Sequence, residues 1–182
     1  MSSDYGMSHI ARRLRSSPGR RLGYRSLMFD SQSIEHLDAA TTARLLADRA
    51  AIVDLTHRYC WALDTKDYDA LDTVFAPEAN GDLLEDVRGR DVIKARIKRA
   101  LDPLEQTQHL VSNHMVRVEG DRAWCRCYLQ SQHVRTAADG GPNFIIAGRY
   151  EDELRRTSEG WRVVFRRLTV MWTDGNPRVA RG

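Results

Sequence analysis

No stretch of this 182-residue chain stays apolar for the roughly 18 residues that a membrane-crossing helix needs, which excludes a helical span. Cysteine is scarce: three residues, at 60, 125 and 127. They form neither a C-x-x-C redox pair nor a spacing suited to zinc. An odd count without such a pattern reads as reduced thiols in a cytoplasmic protein. No internal repeat of solenoid length and no low-complexity linker interrupts the chain. The excess of charge of one sign is small, at a net +3, but unevenly placed. Residues 1–27 hold Arg12, Arg13, Arg15, Arg20, Arg21 and Arg25 against Asp4 alone, so this segment carries +5 and the remainder of the chain −2. The body is therefore not basic, which argues against a nucleic-acid partner. The segment also lacks the apolar stretch of a secretory signal. Residues 1–40 are read as a basic, flexible extension and residues 177–182 as a C-terminal tail.

What remains has the length of one domain with a sizeable core. Helical periodicity fills residues 40–101 and strand patterning fills 107–173. Helices followed by consecutive strands indicate α+β, not alternating βαβ units. The first helix is expected from "DAATTARL", where Asp38 and the threonines cap it, to about Asp64. Its wheel places Ile52, Leu55, Thr56, Tyr59 and Leu63 on one face, with Asp54, Arg58 and Trp61 opposite. A second helix is expected over about Lys66–Phe75, ending at Pro77. A third, "GRDVIKARIKRAL", packs Val92, Ile93, Ile97 and Leu101. Four antiparallel strands follow: "QTQHLVSNHMVRV", "RAWCRCYLQSQHV", "NFIIAGRYEDELRR" and "WRVVFRRLTVMW". In the second of these, period two puts Ala123, Cys125, Cys127, Leu129, Ser131 and His133 on one face. That face begins apolar and ends polar, as the wall of a pocket does.

Asp64 lies at the margin of the first helix's buried face, in its last turn. A carboxylate there meets the negative end of the helix dipole, at a cost of about 0.3–1 kcal/mol. On pattern alone it is a helix terminator. His109, in "TQHLVSNH", is on pattern alone a hydrogen-bonded strand histidine, and His133 a satisfied core histidine. His109 and His114 are five apart, so an unbulged strand sends them to opposite faces. No metal site is expected.

The run "ADRAAIVDLTHRYCWALDTKDYDALDTVFAPEA", with "VRGRDVIKARI", "TQHLVSNHMVRVEGDRAWCRCYLQSQHV" and "GRYEDELRRTSEGWRVVFRRLTVMWTDG", resembles the SnoaL-like proteins of the nuclear transport factor 2-like superfamily. The likeness is nearest to the group around scytalone dehydratase, bile acid 7α-dehydratase and hexachlorocyclohexane dehydrochlorinase. It covers residues 41–176. It implies a cone-shaped α+β barrel, a strongly curved and mostly antiparallel sheet wrapped by three N-terminal helices. It also implies a pocket acid–histidine dyad, whose positions Asp64 and His109 occupy. Tyr59 matches a polar pocket residue and His133 the second pocket histidine of scytalone dehydratase. Asn113, Met115, Leu129, Phe144 and Trp172 are expected to contact substrate. Two positions depart from the pattern. Leu63 stands where scytalone dehydratase has a tyrosine, and Tyr59 where the dehydrochlorinase has a lysine.

The expected activity is that of a cofactor-independent lyase or isomerase, in which the dyad abstracts a proton from a small, mostly apolar, cyclic substrate in an enclosed pocket. The alternative is a non-catalytic ligand-binding protein, or an accessory subunit of ring-hydroxylating dioxygenase type. A homo-oligomer is expected, a trimer before a dimer, with no nucleic-acid or membrane partner.

Overall fold

The computed structural model describes residues 34–180, which lie in one compact unit. The expectation of a flexible basic extension falls largely on residues 1–33, outside the described residues.

Helix α1 spans Ala39–Asp64. Asp38 caps it as its sequence predicts: one carboxylate oxygen accepts from the Thr41 N–H at 2.9 Å and the other from the Thr41 hydroxyl at 2.7 Å. Ile52, Leu55, Thr56, Tyr59 and Leu63 are all buried on one side, while Trp61 is 71% exposed. The helix ends where Lys66 takes a left-handed conformation with φ of 57°, a common way to stop an α-helix. The Lys66 amine then reaches the Leu104 carbonyl at 2.7 Å. This ties the end of α1 to the chain just before the third strand.

The next segment departs from expectation. Tyr68–Thr73 is a short 3-10 helix, and Phe75, read as the end of an α-helix, instead opens strand β1, Phe75–Asp82. Strand β2, Asp86–Arg88, pairs back on it. β1 runs parallel to the last strand, with a register shift between Phe75 and Asn80 that accommodates Pro77. Parallel pairing of distant segments leaves no local period in the sequence, and a proline argues against a strand. Helix α2, Arg90–Leu101, buries Ile93, Ile97 and Leu101, whereas Val92 is exposed, contrary to the expected packing.

Strands β3 (Gln106–Glu119), β4 (Arg122–Val134), β5 (Asn143–Thr157) and β6 (Gly160–Gly175) form the antiparallel meander. The resulting six-stranded mixed sheet has the order β2-β1-β6-β5-β4-β3, curved but unclosed, with β3 at an edge. Opposed residues share a face, so register defines an inner, helix-facing surface. It carries Thr107, His109 and Val111 from β3, and the odd-numbered residues Ala123 to His133 from β4. From β5 and β6 it carries Phe144, Ile146, Tyr150, Asp152, Leu168 and Arg166. Every inner β4 residue is buried.

One irregularity reassigns several side chains. The β3–β4 register slips between Ser112 and Met115, with Asn113 at φ of 56°. Asparagine tolerates that left-handed conformation. The extra residue reverses the alternation beyond it. His114 therefore joins the face of His109 instead of opposing it, and Met115 turns outward.

Residues Pro177–Ala180 form a second 3-10 turn, with Val179 buried.

Candidate active site

The end of α1 lies against the edge strand β3. His109 is opposite Ser131 across the β3–β4 ladder, and its N–H points away from β4 toward the helix. Asp64 meets it with both oxygens. One accepts the His109 backbone N–H at 2.9 Å, and the other lies 2.6 Å from Nδ1. Because a carboxylate only accepts, this contact places a proton on Nδ1 and leaves the lone pair on Nε2. The His109 side chain is 5% exposed and that of Asp64 19%. A helix-terminal carboxylate, unfavourable against the helix dipole, is thus offset by two donors from one residue.

His133 is the neighbour of this pair. Its ring centroid lies 5.6 Å from that of His109, at 64° between the planes. Its Nδ1 is 2.9 Å from the Thr107 hydroxyl and its Nε2 is 3.3 Å from that of Ser131. Ser131 in turn donates to the Ile146 carbonyl at 3.4 Å. A single arrangement satisfies all three contacts: Thr107 donates to Nδ1, and Nε2–H donates to Ser131. Burial pushes the His133 pKa down to about 4; the neighbouring His109 adds to the fall, and Asp64 opposes it. His133 is therefore a neutral imidazole near pH 7, with both nitrogens engaged.

The remaining expected site residues divide. Leu129 and Phe144 are buried on the inner face, Phe144 directly opposite His133. Tyr59 is buried in a different cluster: its ring stacks edge-on against Phe75 and Tyr150, under the guanidinium of Arg166 at 4.1 Å. Asn113 is exposed in the bulge, and Met115 lies against Arg126, 3.2 Å from Nη2. Trp172, paired with Ala147, is 51% exposed on the outer face. The structure does not bring Asn113, Met115 and Trp172 to the dyad, because the bulge and the outer-face register carry them elsewhere.

Sequence reasoning missed Arg166. It is fully buried on the inner face and held by Asp152 through two contacts of 2.7 and 2.6 Å. Tyr59, Phe75 and Tyr150 surround its guanidinium, and Nη1 has no hydrogen-bond partner among the described residues. Burial alone pulls the arginine's pKa down, but the facing Asp152 carboxylate more than reverses this, so the charge is permanent. In "YEDELRRTSEGWRVVFRRL" nothing distinguishes Arg166 from its neighbours; period two counted from Trp161 and Val163 would put it on the opposite face, and the register shift between Glu153 and Leu154 turns it inward. A second histidine pair was also missed. His114 Nε2 lies 2.8 Å from the Thr56 hydroxyl, and His57 packs edge-on against it at 5.6 Å. Burial, then the His57 charge, lowers the His114 pKa.

The space at the dyad is a groove, not a sealed chamber. It occupies about 620 Å³ between α1 and the β3 edge. His57, Cys60, Trp61 and Asp64 line one side, and residues Gln106 to Val111 the other. The three cysteines are buried and free, and burial raises the Cys60 thiol to about 12, so it is not a nucleophile at neutral pH. Among the described residues, no group of three or more histidine, cysteine or acidic side chains is arranged to hold a metal ion.

Comparison with known proteins places this geometry. The profile of the SnoaL-like domain matches residues 44–167. The uncharacterized protein Rv2910c of Mycobacterium tuberculosis is 33% identical over 124 residues, covering 66% of this chain and 84% of the relative. A solved structure from Novosphingobium aromaticivorans, of a proposed aromatic ring hydroxylase, is 30% identical with a TM-score of 0.66, covering 74% of this chain and 97% of the other. A proposed scytalone dehydratase from the same species is 22% identical with a TM-score of 0.68, covering 74% and 91%. A type 2 hexachlorocyclohexane dehydrochlorinase, LinA, is 19% identical with a TM-score of 0.64, covering 72% and 90%. The last two likenesses establish a shared fold, that of the nuclear transport factor 2-like superfamily, which a Salmonella enterica member also shows at a TM-score of 0.64. With most of its length matched by the family profile, the chain belongs to the SnoaL-like domain family.

Proposed function

We propose that the protein is a cofactor-independent lyase or isomerase, in which His109 abstracts a proton from a small, neutral, cyclic substrate and Asp64 holds it in the required tautomer. The observation that carries this reading is the double grip of Asp64 on His109, at 2.9 Å to the backbone N–H and 2.6 Å to Nδ1. Nε2 is then the base, and the carboxylate stabilises the imidazolium as it forms. In a β-elimination, Nε2 takes the proton next to a carbonyl, the C–H electron pair becomes the new double bond, and the hydroxyl leaves. The imidazolium returns the proton to that hydroxyl as water. His133, neutral and fully engaged, contributes an uncharged wall that does not compete for the proton. The near-complete burial of the His109 ring limits water, which strengthens both electrostatic effects.

A panel of neutral cyclic ketones and β-hydroxyketones in D2O, followed by NMR, tests this. The wild type is expected to catalyse α-exchange or elimination on one class. Asp64→Asn and His109→Ala are expected to lower that rate by about 10²–10⁴. Undiminished turnover in either variant would refute the dyad.

The 30% identical neighbour described as an aromatic ring hydroxylase supports a second reading, as an accessory or ligand-binding chain of such a system. Stable co-purification with an iron-containing large subunit would favour it. In either case we place the protein in the cytoplasm, as a homo-oligomer, trimer before dimer. The exposed Tyr128, Met171 and Trp172 supply the apolar surface for that association. Light scattering on Trp172→Ala against the wild type measures it.

A further inference from the structure

Asp64 sits in the last turn of α1, the part of a helix that frays first, yet its carboxylate holds two atoms of His109 at 2.9 and 2.6 Å. The residue that ends the helix bears on how that turn is kept in place. Lys66 stands just past the Thr65 cap, where the backbone is left-handed with φ of 57° and helices most commonly carry glycine. A lysine in that position strains the backbone where a glycine would not. What lysine adds is its side chain.

Lys66 Nζ donates to the Leu104 carbonyl at 2.7 Å and to that of Asp102 at 3.3 Å. Both carbonyls belong to the segment that leaves α2, which ends at Leu101, and enters β3, which begins at Gln106. A cation is favoured there, beside the C-terminal end of a helix. The segment is itself fixed. The Leu104 N–H donates to the Leu101 carbonyl at 3.0 Å, the Glu105 N–H donates to the Val134 carbonyl at 2.9 Å, and Leu104 is buried. Tyr68 adds a further tie, its hydroxyl donating to the Asp102 carboxylate at 2.9 Å. The end of α1 thus grips β3 and its entry at two points of opposite polarity. Lys66 donates to the carbonyl of Leu104, and Asp64, two residues earlier, accepts from the N–H of His109, five residues further along.

We propose that Lys66 is a positioning residue for the acid–histidine pair: by holding the end of α1 to the entry of β3, it keeps the Asp64 carboxylate on His109 Nδ1–H and so leaves Nε2 as the base. That the pair is catalytic rests on the function proposed above; that Lys66 holds it does not. Without the ammonium, Asp64 alone of the two grips must keep the last turn against β3. A displacement of about 1 Å in such a pair costs about 10²-fold in rate.

Proton NMR of the full chain in water tests this without a substrate. The Nδ1–H of His109, held by a carboxylate, is expected as a far-downfield resonance in the wild type, assigned by its absence from His109→Gln. Lys66→Met keeps the apolar stem and removes the donor, while Lys66→Gly also relieves the left-handed backbone. In both, the resonance is expected to vanish or to exchange with water at least about tenfold faster, and Lys66→Arg, which still carries a donor, is expected to restore it to within about threefold of wild type. A lysine that served stability alone would lower the melting temperature and leave this resonance unchanged. On a ketone that the wild type turns over, Lys66→Met and Lys66→Gly are expected to lower kcat by about 10- to 10²-fold with KM within about twofold. A wild type without the resonance overturns the proposal, as does a resonance of wild-type position and exchange rate in Lys66→Met. A resonance kept in Lys66→Gly but lost in Lys66→Met also overturns it, since backbone strain and not the ammonium then sets the grip. So does a wild-type rate in Lys66→Met on a substrate for which Asp64→Asn is slow. Absence of turnover on every ketone, with the resonance lost in both Lys66→Met and Lys66→Gly, breaks the catalytic reading and supports the positioning role.

Discussion

Two carboxylates pair with basic side chains on the inner face of one sheet, Asp64 with His109 and Asp152 with Arg166. Both pairs close to 2.6 Å. Their surroundings differ. Side-chain exposure is 19% and 5% for Asp64 and His109, against 1% and 0% for Asp152 and Arg166. Arg166 cannot lose its proton, meets its acid through two nitrogens and is enclosed by three aromatic rings. Its remaining freedom is small, and the pair acts as a fixed charge inside the core. His109 spends one ring nitrogen on its acid and keeps the other, beside a groove. A pair of the first kind organises packing; one of the second kind leaves an atom able to take a proton.

The largest effect is expected where this contrast is sharpest. Asp152→Ala leaves a buried guanidinium without its counter-charge and should lower unfolding stability by about 3–5 kcal/mol in urea titrations. Replacing both partners, Asp152→Leu with Arg166→Met, should cost far less, because no buried charge remains unpaired. Equal losses in the two variants would mean that the pair does not behave as an enclosed ion pair. The dyad should show the reverse profile: Asp64→Asn, for which the rate loss is stated above, should change stability by only about 1 kcal/mol. A loss comparable to that of Asp152→Ala would make Asp64 a structural acid.

Next in size is the pH response of His133. Its folded pKa, about 4, lies below the ordinary histidine value of 6.5. The unfolded chain therefore binds more protons between these values, and stability falls as pH drops from about 6.5 to about 4, by up to about 3 kcal/mol. His133→Gln should flatten that part of the profile relative to wild type. The same slope in both proteins would show that His133 is not buried neutral. The smallest effect belongs to the bulge. Asn113→Val should cost about 1–2 kcal/mol and Asn113→Gly less than about 1 kcal/mol, measured by thermal unfolding. Identical melting of both variants would remove the strain assigned to the left-handed backbone.

Much of this molecule is legible from local pattern. The cap at Asp38, the buried stripe of α1 from Ile52 to Leu63, and the inward alternation of β4 from Ala123 to His133 follow from periods of 3.6 and 2. The candidate pair Asp64 and His109 came from a family likeness, not from spacing, since on pattern each looked ordinary. β1 was not legible: Phe75 and Ala76 continue a helical run, Pro77 reads as a stop, and the partner that makes them a strand is β6. Trp61 read as an outward residue, and only the course of β3 along α1 turns that outward position into a groove wall.

The sequence by itself determined which residues are buried on α1 and β4, because helical and strand periodicity act over a few residues and need no distant partner. Tertiary structure decided the rest. One extra residue at Asn113 reversed the parity of β3, brought His114 inward and sent Met115 out. Pairing with Asp152 drew Arg166 into the core, where no local pattern would place a charge. The meeting of Asp64 with the His109 N–H required an edge strand with a free donor beside the end of a helix, a condition of packing that no short stretch of sequence contains.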